Sequence, residues 1–301
     1  MVTILKRPFI EEGRYQLADY GKGEMLPIVS DVMFHTMLNN ESRKQYVSYL
    51  LSLILDKDYE EIYNGIFFSK EQLDKEKYHD SKKTVDLVCK IDGEIFNIEM
   101  NNNMDIPSLE RNISYIDRLY SGSMKMGDRK YNKVVQININ NFNFKGNKQE
   151  IDEFYIMNHN KEILTDKIRI IYIYLPLIRK KFYNKDKLTS LEKLLLSFNE
   201  KESKELNKMM KGDRLMEEYR TDAYEASQDS EILGLYDKEK EDEMLDVMRI
   251  NYAKEEEIEQ GSKQAKIEIA KNLINADVPL EKVSMCTGLD IKTLEEMKNI
   301  N

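Results

Sequence analysis

The sequence predicts a mixed α/β sheet domain followed by an all-helical C-terminal region. Three observations carry that reading. A two-stranded hairpin is written around Asp92-Gly93, two further apolar runs of strand length follow it, and beyond residue 188 the pattern changes completely to helical spacing. Taken in order, residues 31–55 place Phe34, Met37, Leu38, Tyr46, Tyr49, Leu50, Leu53 and Ile54 at helical intervals, so one or two helices are expected, broken near Asn39–Asn40. IYNGIFFSK at 62–70 reads as a strand, and the charged run Lys70–Lys83 as a loop. Asp92-Gly93 tolerates the positive φ of a tight hairpin turn, which joins strands within 84–101. Pro107 suits the first turn of a helix running to about Gly122, with Leu109, Ile113, Ile116 and Leu119/Tyr120 on one side. KVVQININ (133–140) and IRIIYIYLPL (168–177) are the later strands, the second ended by Pro176.

These boundaries divide the chain into a sheet domain at 1–185, an acidic helical extension at 186–260 and a small tail at 261–301. The extension is rich in Glu–Lys pairs at short spacing, and Asp237–Gln260 reads as a solvated helix. In the tail, the helix Ile267–Leu273, a second helix from Val278, the turn Thr287-Gly288-Leu289 and a third helix Ile291–Met297 outline a helix-turn-helix. Its last helix carries Glu295 and Glu296, which repel a phosphate backbone, so a packing or assembly module competes with DNA reading there.

Composition narrows the function classes. With 41% hydrophobic and 34% charged residues the chain has a core and is not disordered. No window approaches the ~18 uninterrupted apolar residues of a membrane span, and the N-terminal apolar run is too short for a secretory signal. Cys89 and Cys286 lie far apart without metal-ligand spacing, which fits a reducing, cytoplasmic setting. Abundant Lys, Asn, Ile and Glu with no Trp suggests an AT-rich bacterial genome. The net charge of −9 is unevenly placed. Residues 191–301 hold 17 basic against 27 acidic side chains, leaving 29 against 28 in residues 1–190. Local basic runs at Lys125–Lys133 and Arg179–Lys187 leave a nucleic-acid partner open.

The chemistry concentrates in the hairpin. Alternation sends Glu99 and Asn101 to one side of their strand and Phe96, Ile98 and Met100 to the other. Asp86 stands in the neighbouring strand. Two carboxylates on adjacent strands, with a backbone carbonyl such as that of Met100, form a donor set for a hard cation that activates water against a phosphodiester. Carboxylates on a solvated outer face would give the same pattern. Arg111 and Tyr115 lie one helical turn apart. Arg111 either clamps a phosphate or pairs with Glu110 or Asp117 on the surface, and Tyr115 and Tyr120 read as packing residues.

Asp86, a turn, and then Ile98-Glu99-Met100-Asn101 resembles the signature of the PD-(D/E)XK nucleases, an Asp followed by Glu-x-Lys on the next strand. FNIEMN, Asp31-x-x-Phe34, Arg111-x-x-x-Tyr115, Tyr120, Gly127-x-x-x-Tyr131, KVVQINI and the closing Ile-Ala-Lys-Asn-Leu and Thr-Gly-Leu resemble the branch of PD-(D/E)XK nuclease family transposases, or recombination-promoting nucleases. The resemblance covers nearly the whole chain. It implies a restriction-endonuclease-like α/β fold and Mg²⁺- (or Mn²⁺-) dependent endonuclease cleavage of DNA with little sequence specificity, acting in recombination. It also implies Asp86 and Glu99 as metal ligands and Asp31 as a further site member. Two positions depart from the branch. Asn101 stands where Gln is usual, itself a replacement for the signature Lys, and His35 stands where Lys often follows the first-helix Phe. Asn101 can position water or phosphate but brings no charge, and His35 can donate to a phosphate. The competing expectation is a nuclease fold without turnover that binds DNA or a protein. A homodimer through the helical C-terminal region is compatible with either.

Overall fold

The computed structural model describes residues 24–69, 86–102, 106–124, 130–144, 146–200 and 203–300. The loop expected at Lys70–Lys83 lies outside them, as do Gly127 and most of the basic run at 125–133. The chain forms two compact units, Met1–Glu239 and Lys240–Asn301.

The first unit opens with α1 (Asp31–Met37), whose N-cap Ser30 accepts from the Met33 N–H at 3.2 Å. A 3-10 turn at Glu41–Arg43 separates it from α2 (Lys44–Leu55), so the expected break near Asn39–Asn40 is present. Asp58 caps α3 (Tyr59–Gly65) by accepting from the Glu60 and Glu61 N–H groups. That cap explains a correction. The first part of the segment expected as a strand is helical, and only Ile66–Phe68 (β1) is extended. β2 (Leu87–Ile91) and β3 (Glu94–Asn101) form the hairpin, with Asp92 at φ 48° and Gly93 at φ 80° making the two-residue turn. α4 (Ile106–Gly122) and β4 (Val134–Asn140) follow within a residue of expectation. β5 (Ile151–Met157) was not expected from the sequence. β6 (Ile163–Tyr174) ends before Pro176, which instead sits in the first turn of α5 (Leu175–Tyr183).

The six strands lie in the order β1-β2-β3-β4-β6-β5, with β3–β4 and β4–β6 parallel and the remaining pairs antiparallel. Alternation gives the sheet two unlike faces. One carries Phe96, Ile98, Met100, Val135, Ile137, Ile139, Ile171 and Ile173 into the main core with Phe34, Leu50 and Leu51. That core reaches past residue 185. Leu194, Phe198 and Tyr219 belong to it, drawn from α6 (Ser190–Leu196), the turn after it, and α8 (Arg214–Gln228), with α7 (Ser203–Met210) between them. The other face carries Asn97, Glu99, Asn101, Gln136, Asn138 and Asn140 beneath α4. Here the apolar contact is small, formed by Val88, Ile95, Leu119 and Val134 with Tyr120 against them.

The 46-residue α9 (Ser230–Asn275) runs from the first unit into the second. In the second unit Ala270, Ile274, Val283 and Leu294 form a core with α10 (Leu280–Thr287) and α11 (Ile291–Ile300). Gly288 at φ 72° ends α10, and Asp290 accepts from the Thr293 N–H at 2.9 Å to start α11. The chain thus ends in two short helices, α10 and α11, with Glu295 and Glu296 exposed on the last.

Candidate active site

The hairpin register pairs Leu87 with Ile98, so the next pair outward sets Asp86 opposite Glu99, on the same face. Glu99 is only 3% exposed, which removes the alternative of a solvated outer face. Its Oε1 accepts from Asn97 Nδ2 at 3.0 Å, and the nearby Asp86 N–H favours its charged form. Asp86 Oδ2 accepts from the Met100 N–H at 2.8 Å. The Met100 carbonyl shares the direction of its own N–H and so turns toward the same edge of the strand.

Burial raises the pKa of both carboxyls, most strongly by desolvation. The Asp86 charge raises Glu99 further, and the Asp31 charge does the same to Asp86. Hydrogen bonds from Met100 and Asn97 and the charge of Arg111 offset part of this. Two crowded, desolvated carboxylates are costly as bare anions, and a cation between them removes the repulsion. The donor set therefore fits a divalent metal: Asp86, Glu99 and the Met100 carbonyl are all oxygens, as a hard cation prefers. Among the described residues no group of three or more His, Cys, Asp or Glu converges on one point, so water or substrate oxygens would complete the coordination.

The first helix approaches this pair. Asp31 and His35, one turn apart on α1, are exposed. Desolvation raises Asp31, opposed by the charges of His35 and Arg111, and it lowers His35, opposed by Asp31. The Asp31 and Val32 N–H groups donate to Glu239, at 2.8 and 3.3 Å. Asn39, just beyond α1, uses its two N–H bonds to join the Asp86 carbonyl at 2.7 Å and His35 Nδ1 at 3.1 Å. This assigns Nδ1 as the acceptor and leaves Nε2–H as the donor of a neutral imidazole.

From the other side α4 lowers Arg111 and Tyr115 onto the polar face. Arg111 Nη2 lies 3.5 Å from Asn101 Oδ1. Tyr115 is buried, and its pKa is pushed up to about 12 by desolvation and the nearby Glu99. Among the described residues Arg111 makes no ion pair with Glu110 or Asp117, so the surface alternative drops out. Tyr120 stacks on Tyr131 with ring centroids 4.8 Å apart, a packing role. Every residue singled out from sequence (Asp31, His35, Asp86, Glu99, Met100, Asn101, Arg111 and Tyr115) thus lies in one neighbourhood.

The sequence reading missed the amides that hold the site. Asn97, Gln136, Asn138 and Asn140 are all fully buried. Asn97 Nδ2 donates to Gln136 Oε1 at 2.8 Å, and Gln136 Nε2 donates to Asn138 Oδ1 at 3.1 Å. Asn101 Nδ2 donates to Asn140 Oδ1, also at 3.1 Å. The alternation of Gln136, Asn138 and Asn140 with Val135, Ile137 and Ile139 was the available signal. Asn39 carried none, because its partner Asp86 is 47 residues away.

A mixed sheet with a carboxylate-bearing hairpin, helices against both faces and a helical C-terminal region is a restriction-endonuclease-like fold. The sequence model of the PD-(D/E)XK nuclease family transposases matches residues 28–253, and the chain belongs to that family. Membership supports a nuclease-type function with a divalent metal and DNA as the substrate class. No curated protein and no solved structure matches the chain. Among the described residues no helix is long and apolar enough to cross a membrane.

Proposed function

We propose that the protein is a Mg²⁺- or Mn²⁺-dependent DNA endonuclease of low sequence specificity, hydrolysing phosphodiester bonds in the course of recombination. The observation that carries the reading is the Asp86–Glu99 pair, two desolvated carboxylates facing each other across a hairpin beneath a buried amide strip. In this reading Asp86, Glu99 and the Met100 carbonyl hold the metal. When bound, the metal lowers the pKa of a water nucleophile and stabilises charge on the phosphate. Asp31 adds an outer contact, and Asn101 positions the phosphate through the guanidinium it faces. Neutral His35, its Nδ1 engaged by Asn39, donates Nε2–H to a phosphate oxygen, and Arg111 clamps another. Tyr115 closes the site from α4.

These donors suit the repeating backbone, which motivates the low specificity. Separated free cysteines, Cys89 buried and Cys286 exposed, suit a reducing cytoplasm. The exposed apolar residues Met244, Met248 and Ile258 of α9 motivate a homodimer through the helical region. The deciding experiment incubates supercoiled plasmid with the protein and Mg²⁺ or Mn²⁺, beside Asp86→Ala and Glu99→Ala. Nicking by the wild type and none by either variant is expected. A wild type inert with both metals sinks the enzyme reading in favour of a binding module, and variants that cut normally sink the site.

A further inference from the structure

The signature Lys of PD-(D/E)XK nucleases supplies a cation on the strand of the Glu, and Asn101 at that position has no charge. Arg111 reaches the same spot from α4, with Nη2 3.5 Å from Asn101 Oδ1. Asn101 in turn donates to Asn140, so its amide orientation is fixed and its oxygen is aimed at the guanidinium. The Arg111 Nε–H is buried without a partner. An unmet buried guanidinium donor is costly, and an anionic oxygen is the acceptor that suits it best. Among the described residues, Arg111 is also the cation whose field reaches Asp31, Asp86 and Glu99 alike.

We propose that Arg111 takes the place of the signature lysine, its guanidinium stabilising the charge that develops on the scissile phosphate, and that Asn101 is a positioning residue that aims it. The proposal rests on the nuclease reading and deepens it. A guanidinium donates through a planar fork, so two phosphate oxygens are met at once where an ammonium would present a point charge.

The test measures cleavage of a labelled duplex at saturating Mg²⁺ by wild type, Arg111→Ala, Asn101→Ala, the double alanine variant and Arg111→Ala/Asn101→Lys, each checked for folding by thermal melting. Arg111→Ala is expected to lose roughly a hundredfold or more in kcat, the size of a lost preorganised donor, with kcat/KM falling equally. Asn101→Ala loses less and adds nothing to Arg111→Ala, because it acts through the same guanidinium. Placing Lys at 101 restores at least about tenfold to Arg111→Ala, since it returns a cation to the same electrostatic position. The proposal is overturned by an Arg111→Ala enzyme within threefold of wild type (about 0.7 kcal/mol), by additive losses in the double variant, or by no recovery with Lys at 101. A wild type that cuts nothing defeats the nuclease reading itself, a different result from an active wild type indifferent to Arg111.

Discussion

The two faces of one sheet are built from the same strands by opposite rules. On β4, Val135, Ile137 and Ile139 point one way into a continuous apolar core, while Gln136, Asn138 and Asn140 point the other into a buried strip of amides. The apolar face stabilises the fold by removing hydrocarbon from water, at roughly 25 cal/mol per Å². The polar face gains little from burial, because each amide exchanges water for a protein partner, and several atoms find none: Asn97 Oδ1, Asn138 Nδ2 and Asn140 Nδ2 are buried without hydrogen bonds. Stability is thus concentrated on one face and the candidate site lies on the other, the division expected where a site costs stability and the scaffold must offset it.

The largest effect that sharpens this contrast is on the apolar face. Ile137→Ala, at a fully buried position, should cost about 2–5 kcal/mol in denaturant unfolding. Across the sheet, Gln136→Ala takes one acceptor from Asn97, which keeps Glu99, and leaves Asn138 without its donor, and should cost about 1–3 kcal/mol. If Gln136→Ala proves neutral while Ile137→Ala does not, the amide strip is not an interlocked network.

Asn39→Ala removes the tether to Asp86 and His35 without touching either core. Metal affinity, read by calorimetry with Mn²⁺, should fall about 10–100-fold, as for other outer contacts to ligands. Its ¹⁵N NMR signature should also change, His35 losing the single tautomer that Asn39 selects. A single tautomer retained in the variant would detach Asn39 from the site.

The smallest effect is a pH slope. Asp86 and Glu99 have pKa values raised on folding, chiefly by desolvation, so the metal-free folded state binds more protons than the unfolded chain. Their contribution is full below the ordinary carboxylate range and is lost as pH rises through the raised values, into neutral pH. Metal-free Tm should therefore fall between about pH 5 and pH 8 more steeply in wild type than in Glu99→Gln. Asp31, His35, Arg111 and Tyr115 surround the pair and are unchanged in that variant. Equal slopes would contradict the desolvated-pair geometry.

Much of this was legible in the chain because it is local. Asp92-Gly93 fixes the turn, the turn fixes the register, and the register alone sets Asp86 opposite Glu99. What escaped depended on distant or competing signals. β5 (IDEFYIM) mixes charges with apolar residues on an exposed edge, so its alternation is weak. The Asp58 cap turned 62–65 helical, and Pro176 opens a helix because the strand had already ended at Tyr174. Glu239, over two hundred residues from Asp31, meets its backbone N–H through tertiary packing alone.

In the proposed function, the polar face holds stability in reserve for a metal-bound nuclease site. The most direct measurement pairs two readings on Glu99→Gln at pH 8: the metal-free melting temperature and Mg²⁺-dependent plasmid cleavage beside wild type. The expected variant is folded, melts above wild type because a buried, repelled charge is gone, and cuts no DNA. A variant that melts lower, or that cuts as fast as wild type, would contradict this reading.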